Sequence, residues 1–289
     1  MWDRQILSLG DGSVLVECGP MRMFIEASAA GTPRPDLCRR AAEKAVTFLE
    51  EVAAQRNSLR APALEVPEPT PRSIVHRMWE AARLVGDADL TPMASVAGAI
   101  ADATADLLER EGMSRVVVNN GGDVAFRLKD RERLYVGIRP DVGNSAMSHR
   151  VLVTPDMGLG GVTTSGLGGR SFTRGVASAA TVFASTATTA DAAATAVANA
   201  TYVPSENVIQ RMAESIQPDT DLKGVRITAS LGDLSPEEIE KALQQGMTKA
   251  EEMASRGLIY GACLFVKGRM RSTSRLSPLL EPLVPISRY

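Results

Sequence analysis

Cysteine and histidine are scarce in this sequence of 289 residues. Its three cysteines, Cys18, Cys38 and Cys263, are odd in number and far apart, which fits a reducing compartment better than a disulfide framework. None of them stands at a metal-ligand spacing. The two histidines, His76 and His149, lie outside any nucleophile motif. A serine hydrolase is therefore disfavoured, because a serine nucleophile needs a histidine base.

The sequence also lacks an excess of charge and a long apolar run. Lysine and arginine number 32 and aspartate and glutamate 34, which gives a formal net charge of -2. No global attraction to nucleic acid or to an acidic membrane surface is expected from this balance. No stretch reaches the roughly 18 apolar residues of a membrane span. The first residues lack a basic start followed by an apolar run, so we expect a cytoplasmic protein.

The composition is that of a folded protein, since 44% of the residues are hydrophobic and can form a sizeable core. Four prolines make residues 60–72 an extended connector, because each proline disfavours helix at its own position and at the one before it. We expect a single domain over residues 1–289, with this connector inside it.

Apolar periodicity and turn signals predict short strands that alternate with helices along the chain, and this order predicts an α+β fold. Cys18-Gly19-Pro20 separates two apolar runs, so a β-hairpin is expected to open the chain. Gly98 and its neighbouring alanines should let one helix pack closely. The predicted helices cover residues 35–55, 73–85, 94–110, 191–200 and 235–257. The predicted strands cover residues 14–16, 23–25, 116–118, 124–126, 135–139, 150–154, 176–184, 225–230 and 258–266.

The first candidate motif is Asn119-Asn120-Gly121-Gly122-Asp123, which directly follows a β-run. Two adjacent glycines permit positive φ angles and the close approach of a ligand, and they expose backbone N–H groups that suit a phosphate. An ordinary tight hairpin turn explains the same residues. Both interpretations remain open from the local sequence.

The second motif is a loop over residues 161–171 that combines hydroxyl groups and glycines. Thr164, Ser165 and Gly166 form its centre, and Arg170 and Arg174 are candidate partners for a phosphate. A flexible polar loop between strands is the alternative, because no lysine follows the glycines as it would in a complete P-loop.

The third motif places Asp191 and Thr195 one helical turn apart. A carboxylate and a hydroxyl on one helix face can bind a hard cation such as magnesium or calcium. Alternatively, Asp191 caps a helix and Thr195 bonds to the backbone behind it.

These three motifs, in this order, resemble the ApbE-like superfamily, which includes the FAD:protein FMN transferases. A small-residue helix at residues 94–106 leads into a strand and then the loop at 119–123, as in that superfamily. The resemblance covers most of the chain and is best over residues 93–199. It is closest to the cytoplasmic branch of the superfamily.

The resemblance implies a duplication of T-fold-like units, with an antiparallel sheet and helices packed on one side. It also implies FAD or a related nucleotide, and magnesium. Asp191 and Thr195 would hold the metal, with a backbone carbonyl from residues 93–98. The nucleotide would lie against Asn119, Gly121, Gly122, Thr164, Ser165, Gly166 and Arg170.

The chain departs from the family's transferases at two places. They carry a His-Ile-Ile-Asp-Pro-like segment after the Thr-Ser-Gly loop, where this chain reads Gly169-Arg170-Ser171-Phe172-Thr173-Arg174-Gly175. They also have a lysine where this chain has Asp102. Asp123 is the nearest motif carboxylate that could act as a base, although an aspartate in a loop also caps its own turn.

Two functions follow as expectations. The first is flavinyl or nucleotidyl transfer to an unidentified acceptor protein, assisted by magnesium. The second is a non-enzymatic flavin- or nucleotide-binding protein or assembly subunit. In both cases the partner is a small-molecule nucleotide, with neither nucleic acid nor membrane, and a homodimer is one option for the assembly.

Overall fold

The structure is a computed structural model that describes residues 2–169 and 171–283. The chain forms two compact units. The first unit contains the chain up to Glu132 together with Thr154–Thr163 and Phe183–Ala192. The second contains Arg133–Val153, Thr164–Val182 and the chain from Ala193 onward. The expectation of a single domain stays a prediction.

The helices of the described residues are α1 (Pro35–Ala54), α2 (Ile74–Val85), α3 (Val96–Arg110), α4 (Ala187–Ala200), α5 (Ala213–Ile216) and α6 (Pro236–Ser255). The strands are β1 (Arg4–Ser8), β2 (Val14–Cys18), β3 (Met21–Ala29), β4 (Thr32–Pro33), β5 (Arg115–Asn120), β6 (Asp123–Leu128), β7 (Leu134–Ile138), β8 (His149–Val153), β9 (Gly161–Ser165), β10 (Ala179–Ala184), β11 (Val208–Met212), β12 (Arg226–Leu231), β13 (Gly261–Val266), β14 (Arg269–Ser272) and β15 (Glu281–Pro282).

The first unit is built on an antiparallel sheet in the order β1-β2-β3-β5-β6-β9, with β4 paired to β3. Alternate residues of β2, β3 and β5 are buried, so one face of the sheet forms the core. Helices α1 and α3 pack on this face. Val16, Met23, Ile25, Val118 and Ile100 are among the buried residues of this core.

The second unit contains a three-stranded sheet, β15-β8-β7, and the two-stranded pair β11-β12, both antiparallel. Strand β13 is buried along its whole length, pairs with β14 and packs against α6. Among the residues that the structure describes, no helix has the length and apolar character needed to cross a membrane.

Local sequence signals account for several element ends. The hydroxyl of Ser235 accepts a hydrogen bond from the N–H of Glu238, whose carboxylate accepts one from the N–H of Ser235, which is a capping box at the start of α6. The hydroxyl of Ser73 caps α2 by accepting a hydrogen bond from the N–H of His76, and Gly86 ends that helix with a φ of 74°. Residues 61–73 contain neither helix nor strand, as expected for the proline-rich connector.

The predicted α+β fold is confirmed, with an antiparallel sheet and helices on one face. The opening hairpin and the five predicted helices are present within a few residues of their expected ends. The duplication into T-fold-like units stays a prediction.

One prediction about a local element was wrong. Residues 161–171 were expected to form one polar loop, but Gly161–Ser165 is strand β9 and pairs with β6. The physical reason is that Val162, Thr163 and Thr164 are β-branched and favour an extended backbone. The glycines and hydroxyls in this stretch obscured that preference.

Candidate functional site

Helices α3 and α4 cap each other's N-terminal ends through two aspartates. Asp102, on α3, accepts hydrogen bonds from the backbone N–H of Thr188 at 2.7 Å and from its hydroxyl at 2.6 Å. Asp191, on α4, accepts one from the N–H of Gly98 at 2.9 Å. The first N–H groups of a helix lack partners within it, and that end carries partial positive charge. Asp191 is therefore a capping residue, but of α3 rather than of its own helix.

The close approach of α4 to α3 and β9, which the capping hydrogen bonds need, depends on glycine at two positions. A Cβ atom on Gly98 would lie 2.4 Å from the carbonyl oxygen of Ala187. A Cβ atom on Gly161 would lie 2.1 Å from the amide nitrogen of Ala187. The first turn of α4 therefore packs directly on the backbones of α3 and β9. The close packing expected of Gly98 from the sequence is confirmed.

Gly98→Ala should lower the free energy of unfolding by about 1–3 kcal/mol, the usual cost of forcing extra atoms into a packed site. This loss should exceed the gain of about 1 kcal/mol that alanine brings to a helix interior. Urea unfolding followed by circular dichroism measures the difference. A variant as stable as the wild type would contradict the close approach of α3 and Ala187.

The carboxyl group of Asp191 has an unfavourable environment for a negative charge. Burial raises the pKa of Asp191 well above its ordinary value, and the nearby charge of Asp123 raises this pKa further. The hydrogen bond from Gly98 acts in the opposite direction and is outweighed. Two half-buried carboxylates that repel each other are stabilised by a cation between them.

The register of the sheet places Asn120, Asp123 and Thr163 in one row across β5, β6 and β9. Asn120 pairs with Asp123, and Thr163 stands opposite Asp123, one step beyond the pair Val124 and Val162. Opposite residues of antiparallel strands present their side chains on the same face. This face is the one that α3 covers, since the side-chain amide of Asn120 donates to the carbonyl oxygen of Ala97 at 3.1 Å.

The loop between β5 and β6 is a two-residue hairpin turn. Gly121 and Gly122 have φ angles of 72° and 115°, which favour glycine. The N–H of Gly122 donates to the side-chain oxygen of Asn119 at 2.8 Å. The N–H of Gly122 was expected to be exposed for a phosphate, and this hydrogen bond already uses it. The hairpin interpretation of the motif is therefore the one that the geometry supports.

Arg127, on β6, lies between two aspartates of α3. Its guanidinium nitrogen Nη2 is 3.0 Å from Asp102 and 2.6 Å from Asp106, and Arg77 also binds Asp106 at 2.7 Å. Burial acts to lower the pKa of Arg127, but the charges of Asp102 and Asp106 outweigh it and raise this pKa. The cluster fixes Asp102, which in turn holds the first turn of α4.

The remaining candidate residues belong to the second unit. The hydroxyl oxygen of Thr164 lies 2.9 Å from that of Thr181, and Ser165 is buried. A Cβ atom on Gly166 would approach the carbonyl oxygen of Ser178 to 2.7 Å. Thr195 is half-buried on α4. Arg170 lies outside the described residues, so its predicted contact with a phosphate stays a prediction.

The segment that replaces the family's His-Ile-Ile-Asp-Pro-like sequence is tied to the C-terminal end of α4. The hydroxyl of Thr173 and the N–H of Arg174 both donate to the side-chain oxygen of Asn199, at 3.1 and 2.9 Å. The N–H groups of Val176 and Ala177 donate to the hydroxyl of Thr201. Through these contacts the segment anchors a helix end.

Across residues 2–169 and 171–283, no group of three or more histidine, cysteine, aspartate or glutamate side chains is arranged to hold a metal ion. A cation at Asp191 and Asp123 would therefore need hydroxyl, carbonyl, water or nucleotide oxygens to complete its ligands.

Four residues of this site have no role predicted from the sequence: Thr163, Thr188, Arg127 and Asp102, the last of which differs from the lysine of the family's transferases. One signal was available. Ala-Asp-Ala occurs in both small-residue helices, around Asp102 and around Asp191. The repeated tripeptide marks the two aspartates that exchange caps. Thr163 and Thr188 carry no comparable signal.

The antiparallel α+β fold, with a small-residue helix before a glycine-rich hairpin and an Ala-Asp-Ala helix after it, defines a protein of the ApbE-like superfamily. The chain matches the family model described as AbpE bacteria over residues 4–272, and it belongs to that family. The resemblance recognised in the sequence is thereby confirmed.

Curated relatives carry the name UPF0280 protein. The one from Methanothermobacter thermautotrophicus is 39% identical over 145 residues, which cover 48% of this chain and 54% of the relative. The one from Methanopyrus kandleri is 44% identical over 110 residues, which cover 38% of this chain and 43% of the relative. The chain thus spans about half the length of these relatives.

Two solved structures match this chain over almost its whole length at low sequence identity. The apo form of the Pseudomonas stutzeri flavinyl transferase ApbE has a TM-score of 0.45 and 14% identity, with 96% of this chain and 97% of that chain covered. The apbe protein of Thermotoga maritima has a TM-score of 0.44 and 11% identity, with 96% and 99% covered.

Proposed function

We propose that this protein binds FAD or a closely related nucleotide together with a magnesium ion held at Asp191. One observation carries the proposal: the half-buried carboxyl group of Asp191, fixed by the N–H of Gly98, lies within the influence of the charge of Asp123. A hard cation relieves the repulsion between the two carboxylates through oxygen ligands. Magnesium usually binds through one or two carboxylates plus phosphate oxygens and water, which suits a site with few acidic side chains.

The β5–β6 turn is a hairpin whose Gly122 N–H is bonded to Asn119, so a nucleotide at this end of the sheet would approach the exposed surface of the turn and not that N–H. Gly121 and Gly122 are exposed, and a Cβ atom on Gly122 would meet no atom within 4 Å. A ligand can therefore approach the backbone of the turn closely. Family membership adds FAD as the first nucleotide to test. The contacts proposed for Asn119, Thr164, Ser165, Gly166 and Arg170, and metal binding by Thr195, rest on the order of the motifs.

The proposed reaction is transfer of FMN, or of a related nucleotide group, to a hydroxyl of an acceptor protein. Bound magnesium would neutralise charge on the pyrophosphate. The acceptor oxygen would bond to the FMN phosphorus, the pyrophosphate bond would break, and AMP would leave. Asp123 is the proposed acceptor of the hydroxyl proton. Its position beside Asp191 also suits pairing with the cation.

A second candidate is a binding protein without turnover. The observation that favours it is the segment at residues 171–177, which replaces the histidine and aspartate of the transferases and is tied down by Asn199 and Thr201. Such a segment supplies neither a mobile base nor a free carboxylate. The protein would then sense a flavin nucleotide or deliver it to an assembly.

Calorimetric titration of the purified protein with FAD, FMN and ADP, each with and without magnesium, tests the proposal. We expect FAD to bind only when magnesium is present, with FMN and ADP weaker because each carries part of the ligand. Chromatography of FAD incubated with the protein and magnesium then separates the candidates: release of AMP marks breakage of the pyrophosphate bond, with FMN passing to water or to a hydroxyl of the protein itself, whereas a binding protein leaves FAD intact. If none of the three nucleotides binds, the proposed function is refuted.

A further inference from the structure

Thr163 is completely buried, and its hydroxyl oxygen has no hydrogen-bond partner within the part of the chain that the structure describes. A buried hydroxyl without a partner costs free energy, and valine would fill the same space without that cost. Nearby threonines differ, because the hydroxyls of Thr104 and Thr188 donate to Ile100 and Asp102. The unpartnered hydroxyl of Thr163 therefore indicates that a ligand from outside the chain binds it.

The direction of the Thr163 side chain follows from the sheet. Gly161 is two residues earlier on β9 and shares its face, and a Cβ atom on Gly161 would meet the first residue of α4. Strands β6 and β9 pair at Val124 and Val162, and the next residues outward are Asp123 and Thr163, so extending the register puts these two side chains on one face. The charge of Asp123 acts on Asp191. The unpartnered hydroxyl therefore lies beside the carboxylate pair.

We propose that the Thr163 hydroxyl is a direct oxygen ligand of the cation held by Asp191 and Asp123. A hydroxyl oxygen is a hard donor of the kind that magnesium and manganese accept, and it adds no further negative charge to a crowded pair of carboxylates. The inference rests on the proposed cation site. It adds a third oxygen from the first unit to that site.

The test compares wild type, Thr163→Val, Thr163→Ser and Asp191→Asn by titration with manganese alone and with magnesium alone. Thr163→Val keeps the shape and removes the hydroxyl, so the affinity for manganese should fall by about tenfold or more. Thr163→Ser keeps the hydroxyl and should stay within about threefold of wild type. Without cation, Thr163→Val should melt at the wild-type temperature or above it, because an unpartnered hydroxyl has been removed.

Thr163→Cys gives a second test that does not depend on the valine variant. A thiolate is a soft ligand, so this variant should lose affinity for manganese and gain affinity for cadmium relative to wild type. A residue that acts only through packing would not change the preference between the two metals.

The outcomes separate this inference from the proposed function. If wild type binds neither manganese nor magnesium, the proposed cation site itself fails. If wild type binds and Asp191→Asn does not, while Thr163→Val binds as tightly as wild type, only the role of Thr163 is overturned. A Thr163→Val protein that melts well below wild type without cation also overturns it, because the hydroxyl would then serve the fold.

Discussion

Asp191→Asn should stabilise the ligand-free protein and abolish its magnesium-dependent binding of FAD. Asparagine retains an oxygen for the N–H of Gly98, and it removes a charge that burial and Asp123 disfavour. The gain should be about 0.5–2 kcal/mol, the range usual for single stabilising substitutions. The affinity for magnesium should fall at least 100-fold, beyond the range seen when only an outer partner of a metal ligand is lost.

The stability difference between Asp191→Asn and wild type should depend on pH. Folding raises the pKa of Asp191, so its ionisation penalises the folded state. The penalty is absent below the pKa of the unfolded chain, about 3.9, and grows as the pH rises toward the folded pKa. Urea unfolding across this range measures it. Asp3→Asn, at an exposed aspartate, is the control and should show no comparable gain.

Arg127→Met should cost about 3–5 kcal/mol of folding free energy, because it leaves a buried carboxylate without its cation. The side chain of Asp102 is 1% exposed and that of Arg127 is 14% exposed, so water cannot replace the lost interaction. Asp106 would keep Arg77, whereas among the described residues Asp102 would keep only the groups of Thr188. Thermal and urea unfolding would measure the loss.

The double variant Asp102→Asn with Arg127→Met completes the test. Asparagine removes the orphaned charge and keeps an acceptor for Thr188, so the double variant should be more stable than Arg127→Met alone. Lys129→Met is the matched control, since Lys129 pairs with Glu109 at a half-exposed position and such pairs contribute about 0–1 kcal/mol. Equal losses for Arg127→Met and Lys129→Met would contradict the buried cluster.

The sequence sufficed for the elements whose signals are local. Turn glycines, the Ser235 capping box and helical periodicity all act over a few residues, so the hairpins and helices could be predicted. Strand β1 was missed because its residues are mostly exposed and show no apolar alternation. Strand β9 was missed because glycine and threonine in Gly161–Ser165 suit both a loop and a strand.

The candidate site was predictable only as a set of motifs. The proximity of Asp191 to Gly98 joins residues 93 positions apart, and that of Asp102 to Thr188 joins residues 86 apart. No local rule specifies such contacts, because they depend on how the sheet aligns β6 with β9. The unpartnered hydroxyl of Thr163 is equally invisible in the sequence, since its environment exists only after that alignment.

The hydrogen bonds by which α3 and α4 cap each other can form only after both helices have been synthesised. A ribosome completes α3 long before it reaches Asp191, with a delay on the order of 4–16 s at the usual 5–20 residues per second. In the first part of this interval, until β9 has been made, β6 lacks its neighbour and presents an open edge to other chains. Any slowing of translation between β6 and β9 would lengthen that exposure, and with it the time in which the nascent chain can aggregate through this edge.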